Sequence, residues 1–169
     1  TSRVIAHQEM HIETVVKQAT HLNLPLLGVP VHRASKESYT ERISRALNVI
    51  AEQVGGKDKI SSLVFGDLHL EHIRSWREKE LGPLGYHLEF PLWQVSFVEL
   101  SKDLQASGIK VVVSASTKSG IDVGDEYNQT FLQKILDMGE IDMFGENGEF
   151  HTVAQVWVVS RDKALGIEI

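Results

Sequence analysis

Ser62-Leu63-Val64-Phe65-Gly66-Asp67 decides the fold. A short apolar run closed by glycine reads as a buried strand and its exit, and Asp67 stands where a helix N-cap should be. Residues 68–81 then read as a helix, which Gly82-Pro83 ends. Upstream, Ser38 to Val54 is helical with Ile43, Leu47 and Ile50 on one face, and Gly55-Gly56 stops it. Earlier still, Leu24 to Val31 suits a buried strand and its exit loop, and Ile5, Ile12, Val15, Val16, Ala19 and Leu22 mark an amphipathic helix over about 3–21. Downstream come an extended piece from Leu88 to Trp93, a helix over about 94–107, a β-branched strand at Ile109 to Val113 and a polar loop over 114–120. A helix from Gln129 to Met138 and an extended segment over 141–159, with an Asn147-Gly148 turn, complete the chain.

Helix and strand alternate, with buried-type strands near 24–31, 61–66 and 109–114. The pattern predicts an α/β fold on a largely parallel sheet with flanking helices, plus a C-terminal extended or hairpin segment. Ligands of such sheets sit beyond the carboxyl ends of the strands. Here those ends are Pro30 onward, Gly66-Asp67 and Ser114 onward.

The chain has 169 residues, enough for a single domain over 1–169 with a core of its own. A 42% hydrophobic content argues against a disordered chain. The absence of cysteine removes disulfides, thiolate metal sites, thiol nucleophiles and iron–sulfur clusters. Seventeen basic against twenty-three acidic residues, a net charge of −6, argue against a nucleic-acid partner. The longest near-apolar run, Leu24 to Val31, is broken by Pro25, Gly28 and Pro30 and is too short to cross a membrane. A soluble, cytoplasmic protein is the expectation. The first residues are Thr1-Ser2 rather than a methionine, which fits either a removed leader or a chain truncated at its N-terminus.

Four places could carry chemistry. In Gly66 to Glu78, the residues Asp67, Glu71, Arg74 and Glu78 follow spacings of four, three and four, so they share one helix face. Asp67, at a strand's carboxyl end, suits a magnesium-bound phosphate or a substrate amine; an N-cap followed by a solvated salt-bridge face explains the same spacing. Gly145-Glu146-Asn147-Gly148-Glu149-Phe150-His151-Thr152 is a dense polar cluster. A type I′ hairpin turn accounts for Asn147 and Gly148, but not for Gly145 or for the crowding of His151 and the acids. Gly55-Gly56-Lys57 looks like a phosphate loop, but a helix precedes it and a strand follows, the reverse of what such a loop needs. His7 and His11 lie four apart, but Gln8 stands where a zincin has its catalytic Glu, and His69 and His72 are only three apart.

Two segments together carry a family likeness. Phe65 to Glu78, followed by Pro91-Leu92-Trp93, resembles the central signature of the diphthine–ammonia ligase-like ATP-binding family, and Gly145 to Thr152 resembles its C-terminal signature. The resemblance implies a Rossmann-like, adenine-nucleotide α-hydrolase-like fold of the PP-loop superfamily. It implies a nucleotide-binding-type core over 1–114 and a substrate-side portion over 115–169. The family's activity uses ATP to adenylate a carboxylate, after which ammonia displaces AMP to leave an amide. Carried onto this sequence, Gly66, Asp67, Glu71, Arg74, Arg77 and Trp93 line the nucleotide or substrate crevice, with Asp67 toward magnesium (Mg). Glu146, Glu149 and His151 bind or activate the acceptor and ammonia, while Gly145, Asn147, Gly148 and Thr152 close over the acceptor.

The likeness implies ATP and magnesium as cofactors and a small-molecule or protein carboxylate as acceptor, and leaves homo-oligomerisation open. Asn147 and His151 replace a Gly and a Glu of diphthamide-forming members, as in a bacterial-type subgroup, and Met143-Phe144 stand where Pro-Cys is usual. The family's N-terminal phosphate loop has no counterpart in this sequence. A domain that binds the ligand without catalysis is therefore the alternative, and a zinc hydrolase built on the His pairs a distant third.

Overall fold

The computed structural model describes residues 3–5, 10–31 and 34–167. Six helices and four strands occur among them. In chain order they are α1 (Ile12–Leu22), α2 (Tyr39–Val54), β1 (Ser62–Val64), α3 (Glu71–Leu81), β2 (His87–Glu89), α4 (Phe97–Ser107), β3 (Lys110–Ser116), α5 (Gln129–Met138), β4 (Phe150–Gln155) and α6 (Arg161–Ala164). The chain is thus mixed α/β, and it divides into two compact units, Leu27–Val95 on the one hand and Thr1–Leu26 with Ser96–Ile169 on the other. No described helix is long and apolar enough to cross a membrane.

In the Leu27–Val95 unit, β1 and β2 run parallel with Ser62 opposite His87 and Val64 opposite Glu89, joined through α3. Parallel strands require such a crossover. α2 begins in a capping box: the Ser38 hydroxyl accepts from the Glu41 amide while the Glu41 carboxylate accepts from the Ser38 amide. It ends at Gly55, whose φ of 90° is the left-handed cap that glycine supplies without strain. That confirms Gly55-Gly56 as a helix stop. Leu47, Ala51, Leu68 and Leu81 are the buried apolar residues of this unit.

The other unit is organised around β3. β4 pairs with it antiparallel from Lys110–Gln155 to Ser116–Phe150, with a register shift between Val113 and Ala115. On the opposite edge the backbones of Gly124, Asp125 and Tyr127 bond to Val113 and Val111. Val111, Val113, Ile121, Tyr127, Phe131, Leu132, Ile135 and Phe150 form its core. Phe150 stands edge-on to Phe131, with ring centroids 5.4 Å apart. α1 is tied to this unit by the Gln18 side chain, which donates to the Ala154 carbonyl at 2.8 Å, and by the Lys17 ammonium over the Trp157 ring.

Several expectations need correction. No strand forms over 24–31: Pro25 and Pro30 lack the N–H a ladder needs, and Leu24 and Val31 are 52% and 61% exposed. β3 lies in no parallel sheet, because both of its edges are filled antiparallel within its own unit. It also runs on through Ser116, into the stretch expected as loop. α1 starts at Ile12, not near residue 3, because Val4 and His11 pair as an antiparallel bridge; residues 6–9 of the expected helix lie outside the described residues. α3 starts at Glu71 with Leu70 at its N-cap, so Asp67 is not a cap and lies off the helix face assigned to it. The Asn147-Gly148 turn does not join two paired strands, since the partner of β4 is β3.

Phe150 is 1% exposed at the centre of its core, whereas Val123 is 70% exposed. Phe150→Ala should cost about 3–5 kcal/mol of unfolding free energy, and Val123→Ala should stay within about 0.5 kcal/mol. Urea denaturation of the two variants checks the contrast.

Candidate functional site

The central signature converges on one place in the Leu27–Val95 unit. β1 and β2 are in register, so the residues just beyond them, Phe65 and Phe90, meet at the same end of the pair, and their rings stack at 5.5 Å. The Phe65 amide donates to the Glu89 carbonyl at 2.9 Å, carrying the pairing one step past the strands. Gly66-Asp67 follows the first strand and Pro91-Leu92-Trp93 the second, so both loops leave the carboxyl ends of parallel strands. A Cβ on Gly66 would meet nothing within 4 Å, so the space above the β1 exit stays open.

Two arginines of α3 reach this end and do different things. The Arg77 guanidinium forks onto Asp67, Nε to Oδ2 and Nη2 to Oδ1, and lies 4.5 Å from the centre of the Phe65 ring. The bond from Asp67 is the main cause that raises the Arg77 pKa above its ordinary value. Arg74 instead lies 4.8 Å from the centres of both the Phe90 and Trp93 rings, and its Nε donates to Glu78 at 2.8 Å. Glu71, at the first turn of α3, accepts from the Gln94 side chain at 3.4 Å. Arg74, His87, Glu89, Phe90, Pro91 and Trp93 line a shallow, open depression of about 460 Å³.

The C-terminal signature builds a separate device in the other unit. The Gly148 amide donates to the Gly145 carbonyl at 2.9 Å. Glu146 and Asn147, between them, do not have positive φ, so this is not the mirror-image hairpin turn. Gly145 is required here: its φ is 72° and a Cβ would overlap the Phe150 carbonyl. Asp142 anchors the turn, its Oδ1 accepting from the amides of Phe144 and Glu146 at 2.8 and 3.2 Å.

Glu149 is 5% exposed. Its Oε1 accepts from the Asp142 amide at 3.0 Å and from the Asn147 side chain at 3.4 Å, while Oε2 is buried with no hydrogen-bond partner. Burial works to raise its pKa, but the amides of Asp142, Glu149 and Asn147 and the Asn147 side chain outweigh it, so the net shift is downward. His151 and Thr152 lie on β4, opposite Ala115 and Val113, and Thr152 is exposed.

Gly66, Asp67, Glu71, Arg74, Arg77 and Trp93 are thus brought together in one unit, and Gly145, Glu146, Asn147, Gly148 and Glu149 in the other. Among the described residues no three His, Asp or Glu side chains gather where they could hold a metal ion. Both oxygens of Asp67 face Arg77, so this donor set does not fit a resident magnesium. His7 of the first His pair lies outside the described residues.

Asp142 and Thr117 escape the sequence reading, and Phe65 and Phe90 enter it only as parts of extended segments and of the central signature, not as site residues. The two phenylalanines stand at the same place relative to their strands, which equal offsets in the two apolar runs could have revealed. Asp142, three residues before Gly145, carries the mark of an Asx turn. Thr117, which bonds the Gly148 and Glu149 carbonyls through its hydroxyl at 3.1 and 3.2 Å, leaves no local signal.

Asp67→Asn should cost about 1.5–3 kcal/mol, the weight of hydrogen bonds to a charged group, because Arg77 keeps its charge and only 20% of its side chain is exposed. Thermal melting of the variant checks it. For Glu149 the folded pKa lies below the ordinary 4.5, so the stability it lends is complete above that pH and lost as pH falls through the lower, folded value. Glu149→Gln should flatten this acid limb of a stability-against-pH curve; an unchanged limb would show that the carboxylate does not set it. The chain matches no known family model and no curated protein.

Proposed function

We propose that the chain belongs to an ATP-dependent amidating ligase resembling diphthine–ammonia ligase, with a Rossmann-like nucleotide crevice at the β1–β2 end. What supports this reading is Arg74 lying over the Phe90 and Trp93 rings at the exit of one of two parallel strands joined by a helix, with Phe90 stacked on Phe65 at the exit of the other. An open backbone at Gly66, a cation and two aromatic rings are what a nucleotide's phosphate and flat base require.

In the proposed reaction a carboxylate oxygen of the acceptor attacks the α-phosphorus of ATP and pyrophosphate leaves. Ammonia then attacks the acyl carbon, and AMP departs with the electron pair of the broken C–O bond. The chain's part is to orient the reactants and stabilise charge. Glu149, whose pKa is pushed down, is a weak base and suits holding a positively charged or N–H-bearing group. Proton removal from the attacking nitrogen falls to His151, the side-chain type most used for that task.

A non-catalytic ligand-binding role is the second reading, favoured by the closure of Asp67 onto Arg77. Incubation of the protein with ATP, magnesium, ammonium and a panel of amino-acid and dipeptide carboxylates, followed by ³¹P NMR, separates the two. AMP plus pyrophosphate, reduced about 100-fold or more in His151→Ala, supports the ligase. ADP plus phosphate overturns the adenylation step, and ATP binding without turnover supports the second reading.

A further inference from the structure

The two arginines of the α3 signature are chemically alike in sequence, and the structure separates them. Arg77 is committed at two points to Asp67, through Nε and Nη2, and only 20% of its side chain is exposed. Arg74 is fixed from one side only. Glu78 takes its Nε at 2.8 Å, and the Phe90 and Trp93 rings lie 4.8 Å from its guanidinium carbon. Its Nη1 and Nη2 make no hydrogen bond among the described residues, and 32% of the side chain is exposed. The result is a planar donor pair held still at the edge of the depression that His87, Glu89, Phe90, Pro91 and Trp93 also line.

We propose that Arg74 is the oxyanion-binding residue of this unit, taking two oxygens of a phosphate or carboxylate on its free Nη edge, and that Arg77 is a structural partner of Asp67. The inference rests on the reading above that this crevice receives the ligand, and it names the group that does the holding. Three features support it. A guanidinium fork matches two coplanar oxygens, which an ammonium does not. Ring contact and the Glu78 bond already restrict the side chain, so less rotamer entropy remains to be lost on binding. Arg74 also lines the depression at the strand exits.

Glu89 narrows the ligand class. On β2 it lies two residues from His87, and both line the same depression. A carboxylate there repels a bare oxyanion and welcomes an N–H donor. The ligand therefore carries an oxyanion at one end and N–H donors elsewhere, as a nucleoside monophosphate or an amino acid does. Inorganic phosphate alone is the poorer match.

The test is a ¹H–¹⁵N NMR titration of the wild-type protein, in separate arms, with AMP, glutamate and inorganic phosphate. The Arg74 Nε–Hε and Trp93 indole resonances should move with AMP or with glutamate, at lower concentration than with phosphate, while the Arg77 Nε–Hε resonance stays in place. Which arm saturates first identifies the source of the oxyanion. Arg74→Ala should then weaken that ligand by about 10-fold or more, with Arg74→Lys recovering only a minor part. Arg74 resonances that ignore all three probes overturn the proposal, as does an Arg77 response larger than that of Arg74. The wild-type titration decides the matter even if Arg74→Ala fails to fold. Arg74 shifts without any AMP and pyrophosphate production would sink the ligase reading and leave this one standing. Turnover undiminished in Arg74→Ala would do the reverse.

Discussion

The fork between Asp67 and Arg77 is the constraint on which the Leu27–Val95 site depends. It fastens the exit of β1 to the middle of α3, and Arg77 in turn lies over the Phe65 ring. Phe65 stacks on Phe90, and Phe90 lies under Arg74. A single chain of contacts thus runs from an ion pair to the guanidinium at the rim. The pair's side chains are only 20% and 14% exposed, so the desolvation of two charges offsets much of their attraction. Its main effect is positional: it selects one path for the loop that leaves the strand.

Much of this end was legible in the sequence, because local rules and global fold agree there. Ser62 to Val64 is a strand and α2 closes at Gly55 as read, and in the other unit α5 occupies Gln129–Met138 as read. Asp67 was noticed for the wrong reason. Carboxylate at a strand exit looks like an N-cap, and only the third dimension brings Arg77, ten positions on, to claim both of its oxygens. The apolar run at 24–31 misled for a related reason. Apolarity says that a segment can be buried, but a strand also needs a partner edge and free N–H groups, and two prolines reduce the latter. Strand direction was the least legible property. Nothing local in Lys110 to Ser116 tells that its neighbours run against it, since pairing with Phe150–Gln155 is set by how the chain returns after α5.

The polar cluster at 145–152 divides in the same way. Gly145 resisted a turn-propensity explanation because its cause is a distant backbone atom, the carbonyl of Phe150, five residues on. Glu149 resisted because an acid directly after Asn147-Gly148 looks solvated on paper. In the fold it is covered, and the turn that Asp142 organises wraps amides around one of its oxygens. The acids crowd this turn because they terminate backbone donors that the irregular segment cannot satisfy by itself.

One oxygen of Glu149 remains the informative remainder. Buried polar groups are almost always paired, and those that are not call for a particular explanation. Were Glu149 only a brace for the turn, a neutral Gln would serve Oε1 equally and would spare the cost of covering a charge. The surrounding amides instead favour the ionised form, so negative charge is held where a second donor is missing. A carboxylate whose pKa is held below the ordinary value is a weaker proton acceptor, yet it gains from any positively charged or N–H-bearing group that completes its coordination. That asymmetry, more than the count of acids in the turn, is why the electrostatic role rather than the basic one falls to Glu149 in the proposed chemistry.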